Sequence, residues 1–172
     1  MEEGDKIFWP PYKQKAMTAL GFKEVRQTTQ AVVIDKEFSI HVATLAGIFL
    51  LKLMAWKDRH IQNNKDAADM AFIFNNYLSI NDKRAARFHY DEIYLIDNFT
   101  PNKAGAKLLG IDIATMTKAN LHLSQIISDI ITKEVEKGIR SKLVNQILET
   151  NNYFDYEEIR ETLMYLREGL NS

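Results

Sequence analysis

The sequence predicts an α+β fold that is predominantly α-helical, with one β-hairpin followed by a multi-helix bundle. Three observations carry this expectation. Strand-like runs are confined to residues 30–43. From Thr44 onward, apolar residues recur at helical spacing between capping residues. Apolar residues make up 46% of the 172-residue chain, enough to build a sizeable core. The division expected is a segment over 1–43, with a short helix and the hairpin, and a helical domain over 44–172.

The chain opens with large apolar residues, Ile7, Phe8 and Trp9, followed by Pro10 and Pro11. The double proline forces an extended or turn conformation. A short helix is expected over 12–20, closed by Gly21. QAVVID (30–35) and SIHVA (39–43) are β-rich and are separated by a polar DKEF connection, which suits a hairpin. It is the only strand material the sequence offers. A lone hairpin is marginal in water, so it is expected to pack under the helices or to finish a larger sheet.

Thr44 is placed as the N-cap of a first long helix, and Asn63 or Asn64 as that of a second, with Asp66 in its first turn. Ile80-Asn81-Asp82 is read as the start of a third helix, reaching about Asp97. Thr100-Pro101 opens the next, in which Gly105 and Gly110 cost about 1 kcal/mol each relative to alanine. Close packing against another helix is the expected compensation. Thr117 is read as the start of an amphipathic helix ended by Gly138, and two helices, 139–149 and 155–168, close the chain.

Several function classes are disfavoured at once. The chain has no cysteine, which removes disulfides and thiolate metal sites, and its four histidines never fall at the i, i+4 spacing of a helical metal site. No metal ligand is therefore assigned. A net charge of −1 gives no global attraction for nucleic acid. The longest apolar run, Leu45–Met54, is too short for a bilayer and no signal peptide opens the sequence, so a cytoplasmic protein is expected.

The stretch from Thr44 to Leu78 holds the unusual chemistry. Lys52 sits inside an apolar helix, where a lysine needs a counter-charge, a ligand phosphate or a route for its head back to water. Lys52, Trp56 and Arg59 share a face, and Asp66 and Asp69 are neighbours on the following helix. Two readings stand side by side: a phosphate-holding pair of cations, or a structural salt bridge. Trp56 is open between base stacking and the core. Lys83, Arg84 and Arg87 form a basic face that either touches RNA or is solvated.

AGIFLLKLMAWKDRHIQNNKDAADMAFIFNNY resembles the C-terminal motifs of the AbiEii-type nucleotidyltransferases, the toxin halves of bacterial toxin–antitoxin pairs. The match runs through Lys52, Leu53, Ala55 and Arg59, then Lys65, Asp66, Asp69 and Met70. The IFWPP segment, the hairpin leading into VATLAG, and AGAKLLGIDIA extend it over residues 1–115. The resemblance implies a DNA-polymerase-β-like palm, to whose sheet the hairpin would belong. It also implies transfer of NMP from an NTP to an acceptor hydroxyl with Mg²⁺ held by carboxylates. Lys52, Arg59 and Lys65 would then bind the nucleotide. Asp69 would act as a general base or as an orienting partner of Lys52. Asp66 would be either a second catalytic carboxylate or a first-turn acid. An RNA acceptor, and a cognate antitoxin-like protein or a second copy of the chain, are the implied partners.

The family's Gly-Ser and Asp-x-Asp carboxylate motifs are absent from these 172 residues. DYE at 155–157 is the nearest approach, and it opens a helix late in the chain. The expectation is therefore a nucleotidyltransferase-like chain that is catalytically incomplete by itself. The alternative is a helical interaction or regulatory module that pairs through its N-terminal segment.

Overall fold

A computed structural model describes residues 2–3, 6–8, 16–150 and 154–172. The predicted mostly helical α+β architecture is what forms. Three short strands, β1 (Glu2–Glu3), β2 (Lys6–Phe8) and β3 (Ala16–Thr18), make an antiparallel sheet in that order. Helix α1 (Phe22–Gln27) and the hairpin of β4 (Gln30–Val33) and β5 (Ser39–Val42) follow. Then come α2 (Leu45–Arg59), α3 (Lys65–Phe88), α4 (Tyr90–Tyr94), α5 (Pro101–Thr117) and α6 (Leu121–Glu136). A 3-10 turn over Gly138–Arg140, α7 (Lys142–Thr150) and α8 (Tyr156–Leu170) complete it.

The N-terminal part departs most from expectation. Residues 16–18 are not helical but pair with β2, Ile7 opposite Met17, so the hairpin is not the only strand material. Gly21 starts a helix instead of ending one: at φ 87° it is the N-cap of α1, facing Leu50 at a distance that leaves a side chain little room. Trp9 to Pro11 and the first part of the expected 12–20 helix lie outside the described residues. The hairpin forms with Ala31 opposite His41 and Val32 opposite Ile40. It neither packs under the helices nor joins a larger sheet among the described residues. All eight of its strand residues are exposed, Val33 at 72%.

The helical body follows its caps. The Thr44 hydroxyl accepts the Gly47 N–H at 3.1 Å, the Thr100 hydroxyl that of Lys103, and the Asp155 carboxylate that of Glu158. Asn64 is the N-cap of α3, although it is the Asn63 side chain that takes the Lys65 N–H. The expected restart at Ile80 does not occur. Leu78 and Ala85 keep the buried face of α3 in register through it. Polar side chains there turn back onto their own helix: Ser79 Oγ donates to the Asn76 carbonyl and the Asn81 amide to that of Tyr77. Likewise Thr117 ends α5, its hydroxyl donating to the Ile113 carbonyl, and Asn120 caps α6.

The core lies between α2, α3, α5 and α8, with Phe49 and Phe74 in contact at 5.2 Å between ring centres. At the α5–α8 crossing, a Cβ on Gly110 would fall 2.8 Å from the Gly169 backbone. Gly105 is similarly close to the α3 backbone at Leu78, so both helical glycines have the expected compensation. No described helix is long and apolar enough to cross a membrane.

Candidate functional site

The tight turn at 60–64 sends α3 back along α2, and this places the acidic first turn of α3 beside the last two turns of α2. Asp66 becomes the hub. Its side chain is only 2% exposed, and both its oxygens take guanidinium hydrogens from Arg59, at 2.7 and 2.8 Å. This is the fork geometry in which Arg binds carboxylates best. Lys52 Nζ stands 3.6 Å from Asp66 and 2.5 Å from Asp69.

Burial pushes the Asp66 carboxyl up, but the Arg59 hydrogen bonds and the charges of Arg59 and Lys52 more than offset this and hold it below the usual carboxylate range. In return, the hydrogen bond to Asp66 raises the Arg59 guanidinium. The two carboxylates thus have different parts. Asp66 is a buried, ionised anchor that fixes Arg59, and Asp69, half exposed, orients Lys52. Neither cation is hidden: the Lys52 and Arg59 side chains are 32% and 44% exposed. Both line a cavity of about 180 Å³ that also touches Thr18, Phe22 and Met54. Its outer edge is fixed by the Thr18 N–H, which donates to Asp58 of α2 at 3.0 Å.

Lys52, Arg59, Asp66 and Asp69 are therefore brought together as the spacing suggested. Lys65 is exposed at the first residue of α3, outside the cluster. Trp56 turns inward: it is 4% exposed, its indole N–H donates to Gln146 at 2.7 Å, and it stacks on His60. That leaves it no face for a nucleobase.

A second cluster was not anticipated. Arg84, read from sequence as part of a basic face with Lys83 and Arg87, is drawn instead to Asp112 of α5, with bonds of 2.8 and 2.5 Å. Tyr77 donates its hydroxyl to the same carboxylate at 2.5 Å. Burial, then the adjacent Asp112 charge, raises the Tyr77 phenol far above its ordinary value, so it stays a donor. Asp112 was the signal: a single acid within the apolar run LLGIDIA needs a partner.

The Mg²⁺ that the resemblance implies requires convergent carboxylates with free oxygens. Among the described residues no three acids or histidines converge, and both oxygens of Asp66 are committed to Arg59. The cluster does not fit the metal. No family model, curated protein or solved structure matches the chain.

Proposed function

We propose that this chain is a nucleotidyltransferase-like protein of the AbiEii type, in which Lys52 and Arg59 form the wall that holds the phosphates of an NTP. The observation that carries this reading is the division of labour around Asp66. A buried carboxylate holds one guanidinium in a fixed orientation, and a second, exposed carboxylate steadies a lysine beside it, while both cations still face a cavity. Each cation keeps about a third or more of its side chain exposed there while ion-paired. Arg supplies planar donors for phosphate oxygens and Lys a compact charge.

The role is holding, because the carboxylates here are bound to cations. On this reading the chain works in the cytoplasm, with an RNA acceptor and an antitoxin-like protein or a second copy of itself as the implied partners. Isothermal titration with inorganic tripolyphosphate tests the wall: binding should weaken at least tenfold in Lys52→Met. Incubated alone with Mg²⁺ and labelled NTPs, the chain should label neither tRNA nor itself. Labelling that disappears in Lys52→Ala would contradict the catalytically incomplete reading.

One observation favours a second reading, an interaction module. The β4–β5 hairpin exposes Val32, Val33, Ile34, Phe38, Ile40 and Val42. An isolated hairpin of this kind is marginal in water. If pairing is its function, the chain should run in size-exclusion chromatography with light scattering as a stable dimer, and Val33→Lys should return it to a monomer.

A further inference from the structure

A cavity of about 350 Å³ opens between the base of the hairpin, the start of α2, α3 and α5. That is within the range of small-ligand sites. Its relation to the phosphate wall follows from helix geometry. Leu45, which lines it, and Lys52 and Arg59 are successive residues at a spacing of seven on α2, and seven residues bring a helix back to almost the same face. The rise from Lys52 to Leu45 is about 10 Å, at about 1.5 Å per residue. On α3, Asp69 and the cavity residue Ile80 are eleven residues apart and again share a face. One strip of the α2–α3 pair therefore leads from the Lys52–Asp69 pair to Leu45 and Ile80 of the cavity lining.

We propose that this cavity takes the nucleoside end of the nucleotide whose phosphates lie against Lys52 and Arg59, an inference that rests on the phosphate-wall reading above. Its lining suits an uncharged ring that carries hydroxyls. Leu45, Ile80 and Met116 offer apolar surface to a flat base, and Gln30, Asn81 and Thr115 offer hydrogen-bonding groups. The one cation, Arg84, is neutralised by Asp112, so this end supplies polarity without net charge and gives a second phosphate no preference. Arg84 is also held still. It spends three of its five N–H donors on Asp112 and Asn81, and Tyr77 donates to the Asp112 oxygen that also accepts from Arg84 Nη2. Two donors are left for a ligand. The geometry makes Lys52 and Arg59 the common phosphate contacts for any NTP and assigns the choice among bases to Asn81 and Gln30.

Calorimetric titration of the full chain with the four nucleosides, the four NTPs and inorganic tripolyphosphate separates the two ends. At least one NTP should bind ten times or more tighter than tripolyphosphate. Thr115→Trp, at an exposed position of the lining, should erase that difference without changing tripolyphosphate affinity, and Gln30→Ala should reduce it. The matching nucleoside should bind by itself, persist in Lys52→Met and be lost in Thr115→Trp. NTPs that bind no tighter than tripolyphosphate, or an NTP preference unmoved by both cavity variants, would overturn the assignment. The phosphate reading fails separately, if tripolyphosphate does not bind or ignores Lys52→Met. Nucleoside binding lost in Thr115→Trp would still identify the cavity in that case.

Discussion

The two charge clusters, one between α2 and α3 and one between α3 and α5, both pair carboxylates with cations and solve opposite problems. Around Asp112, one carboxylate takes the Tyr77 hydroxyl and two Arg84 hydrogens, and its only cation spends three of its five N–H donors within the cluster. Around Asp66 and Asp69, two cations share two carboxylates, one buried and one exposed, and both cations stay at a cavity. The first arrangement fixes α3 and α5 to each other. On the proposed reading the second holds charge for a phosphate, and only its Arg59–Asp66 half should matter much for stability.

Removing the partner of the Asp66 anchor should have the largest effect. Arg59→Ala leaves Asp66 buried with only the distant Lys52, and should cost about 3 kcal/mol in urea unfolding, as expected when one partner of a buried pair is removed. A loss below about 1 kcal/mol would erase the distinction between the clusters. Next comes Asp112→Ala, which strands the buried Tyr77 hydroxyl and should cost about 2 kcal/mol. Tyr77→Phe in that background should recover part of it.

The pH dependence separates them further. Asp66 has a folded-state pKa below its unfolded one, so its contribution is complete above the ordinary carboxylate range and is lost as pH falls through the folded value. Thermal melts should therefore fall on the acid side of about pH 4, and Asp66→Asn should flatten that limb. The smallest effect belongs to Lys52→Met. Its pair with Asp69 is a third to a half exposed, and such pairs contribute about 0–1 kcal/mol.

How much of this was legible follows from the range of each signal. The Lys52 cluster could be read because its members lie within eighteen residues on two consecutive helices, where spacing decides which side chains meet. Thr44 and Thr100 could be read for the same reason, since a cap bonds within its own first turn. The Asp112 cluster spans 35 residues between non-consecutive helices, and no local spacing links Tyr77 to Asp112. Ile80-Asn81-Asp82 misled because Asn and Asp also favour helix starts. Here the burial of Leu78 and Ala85 outweighed that preference. Strand β3 was missed because its pairing partner is ten residues earlier, beyond a double proline, while KQKAMTAL alone has good helix formers.

On the proposed reading, Lys52 serves a ligand more than it serves the fold. The most direct measurement is NTP affinity, by isothermal titration, in the native chain and in Lys52→Met, with the melting temperature of each measured in parallel. Affinity should fall at least tenfold while the melting temperature changes by no more than a few degrees, since a pair this exposed contributes about 1 kcal/mol at most. Equal affinities in the two proteins, or a variant that melts far below the native chain, would contradict it and return Lys52 to the role of a structural ion pair.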